Sequence, residues 1–215
     1  MTDGYRIVDY KTWKRAVHCE VFRNHMVPQY CVSLELDITN FLEKIKKQGY
    51  SFTFAMTYAV ARCANEIEEF RYRFVNGQVA LYDRIDTSFT YLDRATELFK
   101  VVEVKLMDTM EEYVKAAGEA VKNQKEYFTG PPGNNVFQFS AMPWVSYTHI
   151  SHTESGKKDN ATPLFDWGKY FERDGKIFLP FSIQVHHSFV DGLHIGKLAE
   201  TLQDYLNRYG KNHSY

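Results

Sequence analysis

The sequence predicts an α+β fold, a two-layer sandwich with a mixed β-sheet covered by helices. Three features of the 215-residue chain predict it. Strand-like and helix-like runs are mixed without strict β-α-β alternation, which argues for layered α+β packing. Two tight-turn dipeptides, Asn76-Gly77 and Asp174-Gly175, each join alternating apolar runs and signal hairpins. The final segment places Ile195, Leu198, Leu202, Tyr205 and Tyr209 on one helical stripe directly after a long strand-like run.

The elements follow in order. Residues 10–25, YKTWKRAVHCEVFRNH, read as a first helix, because Trp13, Val17 and Val21 recur every four residues. Residues 30–38 alternate like a strand. Thr39 is placed to cap a short helix that stops at Gly49. Residues 51–70 are apolar on several faces and predict a buried helix starting near Ser51. The first hairpin spans 71–82, and two alternating runs, 87–92 and 98–106, predict two more strands. Thr109 with Glu112 forms a capping box for a helix over 110–128. TGPPGNN, 129–135, is a loop. Residues 136–150 are strand-like but broken by Pro143, and 151–163 form a polar loop. The second hairpin spans 166–187, and a helix begins just after Gly192.

Composition bounds the function. Hydrophobic residues make up 44% and charged residues 25%, an ordinary globular balance, and no long flexible linker divides the chain. One domain, 1–215, is expected. Aromatics reach 16%, so a ring-rich core or pocket is expected. The formal charge is -1, with no dense basic run, and nothing suggests a nucleic-acid partner; EKIKKQ reads as the wet face of a helix. The N-terminal residues lack a secretory pattern and no run of about 18 apolar residues occurs, so neither export nor a membrane span is expected. Cys19, Cys31 and Cys63 lack metal-type spacing and fit free thiols in a reducing cytoplasm. Cys31, within a strand-like run, fits a packing role, and Cys19 and His18 are expected on opposite sides of a helix.

The chemistry concentrates in QVHHSFVDG, residues 184–192. Two histidines end a strand-like run, and their side chains should face opposite ways. Histidine is the natural general base near neutral pH. Gly192 permits a tight turn. The spacing alone leaves a catalytic base, a metal ligand and an ordinary turn histidine all open. Diverging neighbours and the lack of an HExxH pattern speak against a metal. No GxSxG elbow, P-loop or GxGxxG pattern occurs.

QVHHSFVDG resembles the HHxxxDG signature of the chloramphenicol acetyltransferases. TWKRAVHCEVFRN, VSLELDIT, FSAMPWVSY and the closing GKIFLPFSIQVHHSFVDGLHIGKLAETLQDYLN fall in that family's order and approximate spacing, over nearly the whole chain. HHxxxDG alone is shared with other CoA-dependent acyltransferases, such as dihydrolipoyl acyltransferase cores. Those normally carry lipoyl domains and linkers, absent from these residues.

The resemblance implies a fold of the CoA-dependent acyltransferase type and a homotrimer with active sites between subunits. It implies acetyl transfer from acetyl-CoA to a hydroxyl, with chloramphenicol, the family's substrate, as the acceptor and antibiotic resistance as the result. His187 matches the general base, His186 a structural histidine, and Ser140 the donor to the tetrahedral oxyanion. Asp191 and Arg15 match an ion pair that props the active-site loop; on sequence alone Arg15 reads as a surface helix residue. Trp144, Lys169 and Tyr170 match positions lining the CoA channel, and Phe22, Met26 and Asp166 match acceptor-pocket positions. For Trp144 core packing is the alternative, and helical spacing puts Phe22 and Met26 on one face. The acceptor side departs from the best-known members. Asp166 stands where they carry a threonine, and Ile150 and His152 replace larger or more apolar residues. An acetyltransferase of the same fold acting on another small alcohol, and a noncatalytic ligand-binding trimer, are the two other readings.

Overall fold

The structure is a computed structural model and describes residues 4–130, 133–152 and 156–211. Parts of two predicted loops, 131–132 and 153–155, lie outside the described residues. The elements in chain order are β1 (Tyr5–Ile7), α1 (Ala16–Arg23), β2 (Gln29–Asp37), α2 (Thr39–Lys47), α3 (Phe52–Asn65), β3 (Tyr72–Val75), β4 (Gln78–Tyr82), β5 (Asp86–Asp93), β6 (Leu98–Val104), α4 (Met110–Asn123), β7 (Val136–Met142), β8 (Leu164–Gly168), β9 (Phe171–Arg173), β10 (Lys176–His186) and α5 (Gly192–Arg208).

A mixed sheet runs β2-β10-β8-β7-β5-β6, with β9 paired to β10. Its β5–β7 and β7–β8 ladders are parallel and the others antiparallel. α3 is the centre of the helical layer. Ten of its residues, from Phe54 to Ala64, are buried, as expected of a segment apolar on several faces. It packs against α4 and α5 and against β5 and β7. Phe139, Phe165 and Phe181, register partners or near partners on β7, β8 and β10, supply the sheet's contribution to this core. The first hairpin forms, with Asn76 and Gly77 both at positive φ, but it joins β1 in a separate three-stranded sheet rather than the main one. The Thr109–Glu112 capping box is present.

Three local expectations are corrected. The first helix is only Ala16–Arg23, and Val17 and Val21 face outward at 70% and 52% exposure; the buried residue on that helix is Cys19. Trp13 precedes the helix and packs on Tyr72 and Phe189 instead. Thr39 does not cap α2: its hydroxyl donates to Asp37 and accepts from the Ile177 N–H, tying α2 to β10. The strand arm before Asp174-Gly175 is split into β8 and β9. At the break, a Cβ on Gly168 would lie 2.6 Å from the Val145 carbonyl, so glycine lets the loop after β7 cross closely there.

Candidate active site

β10 carries the histidine pair to the edge of the sheet, and the two rings part as strand geometry requires. His186 is buried. Its Nε2–H donates to the Lys158 carbonyl at 2.8 Å, and its Nδ1 accepts from the Ser188 N–H at 3.1 Å. Both roles are filled by a neutral ring, and burial lowers its pKa in the same direction. His186 is therefore structural, as the resemblance implied.

His187 sits just past the strand and is half-buried. Its backbone N–H continues the ladder by donating to Pro28 O at 2.9 Å. Its ring lies parallel on Phe22, with centroids 3.8 Å apart, and against Tyr30 at 4.7 Å. Such ring pairs contribute about 0.5–1.5 kcal/mol beyond area burial, enough to fix one ring orientation. Nδ1 is buried without a hydrogen-bond partner among the described residues. Phe22 thus joins the site from α1. Met26 does not share a helix face with it, because α1 ends at Arg23. Met26 is 92% exposed and instead lines a cavity of about 80 Å³ together with Gln138, Leu164 and Gln184.

The turn after His187 is held from two sides. Ser188 Oγ donates to the Cys19 carbonyl. Asp191 caps α5 by accepting from the Leu193 N–H. Arg15 Nη1 donates to Asp191 Oδ2 at 2.9 Å. Arg15 is buried, contrary to its reading as a surface residue, while the Asp191 side chain is 32% exposed, so the pair is half-buried. Burial would raise the Asp191 carboxyl, but the hydrogen bond from Arg15, with its positive charge, and the Leu193 N–H hold it below the usual range. No sequence pattern marks His194 for this role. Its buried ring accepts from the Asp191 N–H at 3.1 Å and lies 3.3 Å from Glu69.

Ser140 is half-buried on β7. It is in register with Asp166 on β8, and Asp166 with Ser182 on β10. His187 is five residues further along β10 than Ser182, and β7 is two strands away from β10. At standard strand rise and spacing, Ser140 and His187 of one chain are about 19 Å apart. A single chain does not bring these two candidates onto one substrate.

Trp144, Lys169 and Tyr170 form a second grouping. The Lys169 N–H donates to Val145 O at 2.8 Å, holding Lys169 beside the loop that carries Trp144. Trp144 is 64% exposed, so it is not a core residue. It lines a groove of about 380 Å³ with Ala141, Thr53 and Arg94. Tyr170 packs on Phe52, the neighbour of Thr53, so all three candidates gather at the start of α3. Asp166 is buried and its Oδ2 is 2.6 Å from His152 Nε2. Burial raises the Asp166 carboxyl, and His152 opposes the rise. Ile150 is half-buried in the loop before His152. Cys19 and Cys63 are buried and Cys31 half-buried, each with its thiol pushed up by burial; His18 is exposed opposite Cys19. No group of three or more potential metal ligands occurs among the described residues.

This arrangement of a mixed sheet, a covering helical layer and a strand-end histidine is that of the CoA-dependent acyltransferase fold. Solved structures carry the likeness. A chloramphenicol acetyltransferase superposes with a TM-score of 0.88 at 27% identity, covering 94% of this chain and 99% of that one. A probable dihydrolipoamide acetyltransferase from Listeria monocytogenes shares the fold, with a TM-score of 0.64 at 15% identity over 93% and 92% of the two chains. A family model described as chloramphenicol acetyltransferase matches residues 3–203. A chloramphenicol acetyltransferase from a Klebsiella species is 31% identical over 96% of this chain and 95% of its own. Chloramphenicol acetyltransferase 2 from Escherichia coli is 29% identical over 91% and 94%. The chain belongs to the chloramphenicol acetyltransferase family, and with it to the acetyltransferases.

Proposed function

We propose that this family member transfers acetyl from acetyl-CoA to a hydroxyl of chloramphenicol, directly and within one ternary complex. His187 takes the proton from the acceptor hydroxyl as its oxygen attacks the thioester carbonyl. Such a base contributes roughly 10² to 10⁴ in rate. The carbonyl oxygen of the tetrahedral intermediate accepts a hydrogen bond from Ser140, worth about 3 kcal/mol for a well-placed donor. The intermediate collapses to the acetyl ester, and the departing CoA sulfur takes the proton back from His187. Trp144, Lys169 and Tyr170 hold CoA; Phe22, Met26 and Asp166 line the acceptor pocket. Arg15 and Asp191 keep the His187 turn in place. In the cell this makes a resistance enzyme, a cytoplasmic homotrimer with one acetyltransferase domain, 1–215, per subunit.

The observation that carries the reading is the held, half-buried ring of His187, stacked on Phe22 and some 19 Å along the sheet from Ser140. That separation calls for a site shared between subunits. The outward-facing Val17, Val21 and Met26 supply apolar surface for a neighbour to cover. No helix among the described residues is long and apolar enough to cross a membrane.

The test mixes purified protein with acetyl-CoA and chloramphenicol and follows free CoA thiol with a colour reagent. Release that is lost in His187→Ala is expected. Turnover only with a different alcohol selects another acceptor. CoA binding without release for any acceptor selects a noncatalytic binder.

A further inference from the structure

The three strands that run parallel, β5, β7 and β8, end side by side. Their last residues are Asp93, Met142 and Gly168. Met142 is the register partner of Gly168. The β5–β7 register, continued from Phe89 and Phe139, brings Asp93 level with Pro143. Just past these ends come Arg94 after β5, Pro143 and Trp144 after β7, and Lys169 and Tyr170 after β8. Neighbouring strands lie about 4.8 Å apart, so the three loops stand in a row about 10 Å long. In open sheets of parallel strands, ligands bind outside the carboxyl ends.

Trp144, Lys169 and Tyr170 are the CoA residues proposed above, and Arg94 is the member of the row without a task. It lines the groove of about 380 Å³ together with Trp144 and Thr53. Thr53 stands in the first turn of α3, which carries no acidic residue, so the positive end of that helix adds to the same side. Two carboxylates are near. Asp93 and Glu97 belong to the turn that carries Arg94, closed by the Glu97 N–H donating to Asp93 O at 2.9 Å, and Glu97 lines the groove as well. Neither forms an ion pair with Arg94, and no side-chain hydrogen bond engages its guanidinium among the described residues. Its fork of donors is open to a ligand, and that fork matches a phosphate with paired hydrogen bonds.

Of the two proposed substrates only acetyl-CoA carries phosphate. Ser140 lies about three residues back along β7 from the row, about 10 Å at standard strand rise. A pantetheine arm bridges that distance. A thioester beside Ser140 therefore brings the phosphates of the coenzyme out at the row of strand ends. We propose that Arg94 is a phosphate-binding residue of the CoA site and pairs with a phosphate of the bound coenzyme. The inference rests on the reading of this groove as the CoA site and adds the residue that reads the charged half of the coenzyme.

The experiment titrates CoA, 3′-dephospho-CoA and pantetheine into the purified protein and follows tryptophan fluorescence, since Trp144 lines the groove. Wild type is compared with Arg94→Gln and Arg94→Lys. Arg94→Gln weakens CoA about three- to tenfold, between an exposed ion pair and a sheltered charge-assisted hydrogen bond. Pantetheine, which has no phosphate, binds wild type and Arg94→Gln equally. Arg94→Lys keeps the charge and loses less than Arg94→Gln. An equal loss for CoA and 3′-dephospho-CoA assigns Arg94 to the diphosphate, and a loss for CoA alone assigns it to the 3′-phosphate. An unchanged Kd for CoA in Arg94→Gln overturns the inference, as does a loss of the same size for pantetheine. CoA failing to bind the wild type is a different failure, since it removes the CoA reading of the groove itself.

Discussion

Replacing Asp191 with Asn tests how the turn behind His187 is held. The substitution keeps the shape and the cap on α5, since Asn serves as an N-cap as well as Asp. What it removes is the charge and the second acceptor oxygen facing Arg15 Nη1 at 2.9 Å, because the Asn amide nitrogen that takes that place is itself a donor. Breaking a fully buried pair costs about 3–5 kcal/mol, whereas an exposed pair is worth about 1 kcal/mol or less. Here Arg15 is buried and Asp191 is 32% exposed, which places the loss near 2 kcal/mol, between those limits. For a chain of this size that lowers Tm by roughly 4–8 °C. Thermal unfolding followed by circular dichroism measures it, with thiol release run on the same samples. Loosening the turn lowers kcat/KM by about tenfold to a hundredfold, because a small misplacement of the base is expensive.

The pair also sets a pH dependence. The folded Asp191 carboxyl is depressed below its unfolded value of about 3.9, so its contribution is fully present above that pH. It is lost as pH falls through the folded value. The Tm gap between wild type and Asp191→Asn therefore narrows on acidification below about pH 4. An unchanged melting point at neutral pH, or a gap that widens in acid, refutes the ion-pair argument.

Ser140→Ala lowers kcat by about a hundredfold in the thiol-release assay with little change in Tm, since a half-buried strand serine carries little packing. Phe22→Ala frees the His187 ring and lowers kcat roughly tenfold, while the KM for acetyl-CoA stays constant; an unchanged kcat removes the stacking argument. Thr109→Ala breaks the α4 capping box and costs about 1 kcal/mol in denaturant unfolding. Its activity below the transition equals that of wild type, because α4 takes no part in the site.

Much of the fold was legible because its signals are local. Asn76-Gly77 and Asp174-Gly175 mark their turns by backbone preference alone, and Thr109 with Glu112 marks a helix start within four residues. The buried helix α3 is legible from apolar content. Val17 and Val21 misled because four-residue spacing shows that a stripe exists but not whether the chain itself covers it. Thr39 misled because a distant strand, through the Ile177 N–H, competes for the hydroxyl that a cap would use.

The site divides the same way. The histidine pair and the helix start at Asp191 are encoded within nine residues. The burial of Arg15, the Tyr30 ring beside His187 and the His194–Glu69 contact join residues far apart in the chain, and no local pattern announces them. Family resemblance reached the Arg15–Asp191 pair where periodicity did not. The contact between His152 and Asp166 was beyond both, since each reads singly as a departure.

The central claim is that each active site combines His187 of one subunit with Ser140 of another. Co-expressing His187→Ala with Ser140→Ala tests it most directly, because each variant alone is impaired at every site. In randomly mixed trimers about one site in four pairs an intact His187 with an intact Ser140, so about a quarter of wild-type thiol release returns. Recovery no greater than the average of the two separate variants, in trimers shown to be mixed, contradicts the shared site.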